Sequence, residues 1–200
     1  FREHPEYASF RGRFELIRAP YLLSYLDEKA IYDGQILPQI TRPVAPHTTR
    51  VAAMFAVLTR MRKPNPERLP KELAAIAASL TAVEKMDLYA TGAIPEKLDN
   101  ESTKLLRQRI SDFYRESETY PVYEGRVGAS TREIRVVLFN AAQDPHYEYV
   151  SPLAVLDQLR DLCSRKGEFE WLQEKPLPGG YHDFNAMLEV IRDRLFDTWE

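Results

Sequence analysis

Apolar residues recur every three or four positions along most of the chain, which is the spacing of one face of an α-helix. Glycine is scarce, with 8 residues, and most of the 14 prolines fall between the periodic segments. Such punctuation is typical of helical proteins. The pattern therefore predicts an all-α helical bundle. Helices are expected at 27–37, 45–62, 71–92, 99–118, 130–143, 150–167 and 183–200.

Residues that favour helix ends mark the limits of these segments. Starts are indicated by Pro46 in a first turn, Asp99, Ser151 with Pro152, and Asp183, and ends by Pro38, Gly92 and Gly167. Between Val51 and Leu58 the second helix is so apolar that we expect it to be buried on most sides.

One short segment has a different character. RFELIRAPY (13–21) is the clearest strand candidate, and Pro20 stops it. A single strand at one end of a helical chain has no partner. We therefore expect it to belong to a sheet of which this chain carries only one strand.

The stretch GASTREIRVVLFNAAQ (128–143) opens with small residues and a capping box. The Ser130 side chain can accept from the Glu133 amide, and the Glu133 carboxylate from the Ser130 amide. Arg132 and Arg135 fall in the first two turns, where cations oppose the helix dipole. The spacing alone favours a solvated or ion-paired arginine, and an arginine placed against local stability for the sake of a ligand is the alternative. The helix should bury Ile134, Val137, Leu138 and Ala141.

Charge and cysteine content narrow the class of protein. A net charge of −3 and a pI near 5.9 argue against a dedicated nucleic-acid binder. Cys163 is the only cysteine, so no internal disulfide can form, as expected for the cytoplasm. No apolar run approaches the length of a membrane span, and no signal peptide is visible.

Several motifs of known chemistry are missing. The sequence contains no G-x-x-x-x-G-K-[ST] P-loop, and its four histidines are too scattered for a metal site. PGGY (178–181) predicts a turn, and YHDFN (181–185) lacks the glycine-rich loop and strand lysine of a kinase. The basic run TRMRKPNPERLPK (59–71) predicts a solvated loop, with phosphate contact as the alternative.

Four stretches together resemble the PrkA family, bacterial AAA+ proteins described as serine protein kinases. They are FRGRFELIRAPYLL, IYDGQILPQI, VAPHTTRVAAMFAVLTRMRKP and VGASTREIRVVLFNAAQ. The segment APHTTRVAAMFAVLTR is the most specific of them. The resemblance covers most of the chain and thins after about residue 150.

The resemblance implies that the chain begins inside the AAA+ module, after its Walker motifs and first sensor. RGRF is similar to the arginine-finger segment, so Arg13, with Arg11 second, is the candidate to act on a neighbour's ATP. GAS-x-R is similar to the second-sensor motif of AAA+ lids. There Arg132 would face the nucleotide phosphates, with Gly128 and Ser130 shaping the turn.

The implied organisation has three parts. Residues 1–20 would end the AAA+ core, 21–150 would form the helical lid with a family-type insertion, and 151–200 would be a C-terminal helical region. The complete protein would bind ATP and Mg²⁺ and assemble into a homo-oligomer that acts on a protein substrate or regulator. Neither cofactor is expected to bind this chain alone, and no metal site of its own is expected.

The implied function is to couple ATP binding and hydrolysis to conformational change or protein phosphorylation. Two alternatives remain open. The chain could be a non-enzymatic helical module that binds a protein or a nucleic acid, or its C-terminal helices could carry their own phosphotransferase activity. No kinase catalytic loop is present to support the latter.

Overall fold

The computed structural model describes residues 19–118 and 123–198. Within these ranges the regular structure is helical, apart from isolated bridges at Val44–Val150 and Leu177–Tyr181. The all-α prediction is confirmed. The α-helices are α1 Tyr25–Ile31, α2 Thr48–Arg60, α3 Lys71–Ser79, α4 Ala82–Thr91, α5 Asn100–Ser117, α6 Thr131–Gln143, α7 Pro152–Ser164 and α8 Phe184–Asp197.

Helix α2 is the centre of the fold. All of its residues except Arg50 are buried, which confirms the expectation for 51–58. Helices α1, α4, α6, α7 and α8 pack around it. A helix that is apolar on nearly every side needs neighbouring helices on every side, because any apolar face left in water would lose the free energy of burial.

A second, smaller core lies beside the first, between α3, α4 and α5. Phe113, near the end of α5, and Leu73, in α3, are almost completely buried in it. Among the residues that the structure describes, those buried in this core are Leu69, Leu73, Ile76, Ala77, Leu80, Leu88, Leu106 and Phe113. Residues 61–117 therefore form a satellite, which is joined to the central bundle by Met61, Ala82 and Met86, since these three are buried in the central core.

The single helix predicted over 71–92 is wrong, because the chain breaks it at Leu80. Thr81 is extended and caps α4, accepting from the Glu84 amide at 3.2 Å while its own amide donates to Glu84 Oε2 at 2.8 Å. The T-x-x-E signature was present in the sequence and could have located the break. The predicted end at Gly92 is confirmed, with φ at 72°.

Replacing Thr81 with alanine removes one half of this capping box. We expect the free energy of unfolding to fall by about 1 kcal/mol, measured by urea denaturation. Thr103→Ala is the matched control, since Thr103 lies inside α5 and caps no helix. An equal loss in both variants would contradict a capping role for Thr81.

Three further boundaries differ from the prediction. Helix α1 begins at Tyr25, capped by Ser24, and the helical path continues through a π turn and the 3₁₀ turn Leu37–Gln39, so Pro38 does not end it. Helix α2 begins only at Thr48, after Pro46, because His47 adopts a left-handed conformation with φ at 66°. Helix α7 ends at Ser164, before Gly167.

The remaining helix starts agree with the sequence. Asp99, Ser151 and Asp183 each accept from a backbone amide of the first turn that follows, and Pro152 occupies the first position of α7. The strand predicted over 13–21 falls mostly outside the described residues, and its last three residues are irregular.

Candidate functional site

The turn from Gly128 to Thr131 starts α6 as predicted. Ser130 accepts from the Glu133 amide at 3.2 Å, and the Glu133 carboxylate accepts from the Ser130 amide. The four apolar residues predicted to face the core are the four that α6 buries. Local sequence signals thus place the first turn of α6 correctly.

Gly128 allows the turn to approach α2 very closely. Its φ is 133°, a conformation that residues with a side chain rarely adopt. A Cβ at this position would lie 2.6 Å from Arg60 Cγ and 3.0 Å from both the Arg60 Cα and amide nitrogen. Only glycine therefore fits between the turn and the end of α2.

A buried ion pair lies beneath the turn. Arg60 Nη1 is 2.7 Å from Glu28 Oε2, and Arg60 Nη2 is 3.0 Å from Glu28 Oε1. Each residue is 1% exposed. Tyr32 donates from its hydroxyl to Glu28 Oε1 at 2.8 Å. The pair is bidentate and well satisfied, as a buried pair must be to offset the loss of hydration.

The ion pair also fastens the turn directly. Ala129 O accepts from Arg60 Nε at 3.0 Å and from Nη2 at 2.7 Å, and the Ala129 amide donates to Thr59 Oγ1 at 2.8 Å. Thr131 donates to Glu28 Oε1 at 2.8 Å. The turn is therefore attached to α1 and α2 through both charged partners.

The Glu28 carboxylate is charged in this setting. Burial alone would raise its pKa, but the hydrogen bonds and positive charge of Arg60 lower it, with further help from Tyr32 and Thr131. The net pKa of Glu28 lies below its ordinary value. The pair beneath the turn is therefore an ion pair at neutral pH.

Arg132 lies in the first turn of α6, directly after the anchored turn, and its side chain faces outward. It is exposed and makes no hydrogen bond or ion pair with the residues that the structure describes. Arg135, one turn later, donates to Gln39 Oε1 at 2.8 Å and lies over the Phe139 ring at 5.2 Å. The two arginines therefore differ: Arg135 is tied to its surroundings, and Arg132 can take a ligand from outside.

The arginine-finger candidates cannot be placed beside this turn. Arg11 and Arg13 lie outside the described residues. The described residues contain no group of three or more His, Cys, Asp or Glu side chains that could hold a metal ion. Of the candidate residues, the structure thus brings together Gly128, Ser130 and Arg132.

The sequence does not identify Arg60 and Glu28 as residues of this site. Arg60 belongs to the basic run 59–71, which predicts a solvated loop, and this prediction is wrong for Arg60, because its side chain is among the largest fully buried ones. Its position at the end of an uninterrupted apolar helix is the one feature of the sequence that indicates burial of Arg60. Glu28 gave none, since an acidic residue in the first turn of α1 is expected for the helix dipole alone.

Two protein-family models match the chain. The PrkA AAA domain matches residues 1–68, and the PrkA serine protein kinase C-terminal domain matches residues 83–200. The ATP-dependent protease PrkA of Bacillus subtilis (strain 168) is 25% identical over 155 residues, which cover 76% of this chain and 21% of that protein. The chain thus spans about a fifth of the length of this curated relative. No solved structure matches.

The anchored turn joins the segments matched by the two models. Glu28 and Arg60 lie in the range of the AAA domain, and Gly128–Arg132 in the range of the C-terminal domain. Among the described residues, no helix is both long and apolar enough to cross a bilayer. Because the model of the PrkA serine protein kinase C-terminal domain matches more than half of this chain, the chain belongs to the PrkA family.

Proposed function

We propose that this chain is the lid and C-terminal part of a cytoplasmic, ATP-dependent PrkA-family protein, and that Arg132 contacts the nucleotide phosphates. The observation that carries the proposal is an exposed arginine, without a partner among the described residues, on a turn fixed by a buried ion pair. A cation in this first turn works against the helix dipole. A phosphate ligand would offset that cost.

The turn suits a residue that must respond to a ligand. Arg132 follows directly after Thr131, whose hydroxyl is bound to Glu28. Its backbone is therefore held while its side chain remains free to reach a phosphate. A guanidinium is always charged and offers paired donors to phosphate oxygens, so it can sense the γ-phosphate and stabilise charge during its transfer.

The packing supports movement of the helical part as one unit. The ion pair links α1 and α2 to the turn, and α7 and α8 pack against α2. A pull on Arg132 by bound ATP would therefore shift the C-terminal helices together with the lid. This is how we propose that the nucleotide state reaches the C-terminal region.

The complete protein would supply the remaining parts. We propose that ATP and Mg²⁺ bind the AAA+ core, that the protein forms a homo-oligomer, and that Arg13, or else Arg11, reaches a neighbour's ATP. The matched family is described as a serine protein kinase and the Bacillus subtilis relative as a protease. Coupling to ATP through Arg132 is compatible with either activity on a protein substrate, phosphorylation or proteolysis.

Replacing Arg132 with alanine in the complete protein tests the proposal. We expect ATP turnover to fall about 100-fold, the scale of losing a preorganised charge-stabilising donor, with an unchanged melting temperature. Arg135→Ala is the matched control and should retain most of the turnover, because that arginine is used within the helical body.

Unchanged turnover in the Arg132→Ala variant would contradict the sensor assignment. An equal loss in both variants would show that positive charge on α6 matters, rather than the position of Arg132. If the complete protein hydrolyses no ATP at all, the alternative of a non-enzymatic helical module gains support.

A further inference from the structure

A cavity of about 160 Å³ lies in the satellite, and no residue of the Gly128 turn lines it. It is bounded by the loop after α2, by α4 and by the end of α5. Four cationic side chains line it, together with Asn65, Ser117 and, among the described residues, the single carboxylate of Glu116. The cations are Arg62, Lys63, Arg68 and Lys85.

Lys85 is fixed on one side of the cavity. It is 1% exposed, and its Nζ donates to Glu124 Oε1 at 2.7 Å and to Arg62 O at 2.8 Å. The Arg62 amide donates to the same Glu124 oxygen at 2.7 Å. A buried lysine held in this way contributes a charge whose position is defined before any ligand arrives.

Lys63 and Arg68 are available to a ligand. Neither side chain forms a hydrogen bond or an ion pair with the part of the chain that the structure describes. The Glu116 carboxylate accepts a hydrogen bond from the Asn65 backbone amide at 3.2 Å. Lys85 is paired with Glu124, so Lys63 and Arg68 leave one positive charge in excess over Glu116 around the cavity even when Arg62 is not counted.

We infer that this cavity binds the phosphate group of a small phosphate monoester. Arginine suits phosphate because its donors are paired, and lysine adds a compact charge. The volume holds several water molecules at about 30 Å³ each, which is enough for a tetrahedral phosphate. A nucleic acid is disfavoured, because the cavity admits one phosphate and the chain carries a net charge of −3.

The test measures phosphate binding to this 200-residue chain, which has no P-loop to compete for the anion. Inorganic phosphate is titrated at constant ionic strength and followed by the rise in melting temperature. We expect saturable stabilisation of the unchanged chain. In the double variant Lys63→Gln with Arg68→Gln, the affinity should fall at least tenfold, because two charge-assisted contacts are lost.

A matched control carries the same change of net charge elsewhere. Lys104→Gln with Arg107→Gln alters two exposed cations on α5 that do not line the cavity, and should bind phosphate as the unchanged chain does. Arg135→Ala, which removes a cation of α6 that does not line the cavity, should also leave binding unchanged. No binding to the unchanged chain, or equal weakening in both double variants, would overturn the inference.

The same titration identifies what carries the phosphate. Adenosine monophosphate and phosphoserine are compared with inorganic phosphate in the unchanged chain and in the cavity variant. Tighter binding of the nucleotide would indicate a nucleotide ligand, and tighter binding of phosphoserine a phosphorylated side chain. If every phosphate compound binds equally to the unchanged chain and to the cavity variant, the inference is wrong.

Discussion

Replacing Glu28 with glutamine is expected to lower the free energy of unfolding by about 3–5 kcal/mol, the usual cost of breaking a buried ion pair. The carboxylate accepts from Arg60, Tyr32 and Thr131. Without its charge, the fully buried guanidinium has no counter-ion, and it cannot lose its proton. Chemical denaturation followed by circular dichroism measures the loss.

A double-mutant cycle that combines Glu28→Gln with Arg60→Met measures how much the ion pair itself contributes to the free energy of unfolding. We expect the combined variant to lose less stability than the two single variants added together, because it leaves no buried charge unpaired. It should still be less stable than the unchanged chain. Arg60 also donates to Ala129 O and Leu22 O, and these carbonyls would lose their donors.

An exposed pair serves as the control. Arg192 and Glu189 form an ion pair on α8 with side chains 39% and 48% exposed. Arg192→Met should cost at most about 1 kcal/mol, as is usual for exposed pairs. A similar small cost for Glu28→Gln would contradict the assignment of the buried pair as the anchor of the turn.

The pH dependence of the same measurement has a defined sign. The pKa of Glu28 in the folded chain lies below its ordinary value of 4.5. Its contribution to stability is therefore fully present above that value and is lost as the pH falls through the lower, folded pKa. The difference between the unchanged chain and Glu28→Gln should accordingly shrink in acid, and a difference that stays constant would contradict this account.

Replacing Gly128 with alanine is expected to cost about 2–4 kcal/mol, since the change combines an unfavourable φ with overpacking. The new Cβ would meet Arg60 Cγ at 2.6 Å and the Arg60 backbone at 3.0 Å. A side-chain atom could move aside, but the backbone of the central helix α2 cannot do so cheaply. The turn must shift instead, and Arg132 with it.

Gly34→Ala is the control for this change. Gly34 is exposed, its φ is not in the left-handed region, and nothing lies within 4 Å of the position that its Cβ would take. Alanine there should be neutral or stabilising by up to about 1 kcal/mol. In the complete protein, Gly128→Ala should also reduce ATP turnover while Gly34→Ala does not. Equal stability of the two variants would show that the close approach is not required.

Features that depend on neighbouring residues were predictable from the sequence. The capping box at Ser130, the caps at Asp99, Ser151 and Asp183, and the left-handed end at Gly92 each involve groups a few positions apart. The buried stripe of α6 follows from the helical repeat in the same way. Such signals predict helices and their ends, because the interacting atoms belong to one local segment.

Other features depend on tertiary contacts. Arg60 and Glu28 are 32 positions apart, and Arg60 and Ala129 are 69 apart. No local pattern distinguishes the buried Arg60 from the exposed cations of the following loop, and nothing near Gly128 shows that α2 lies against it. The sequence therefore indicated a turn that carries an arginine, while only the packing of α1, α2 and α6 decided what holds that turn in place, because burial and charge pairing arise between distant segments.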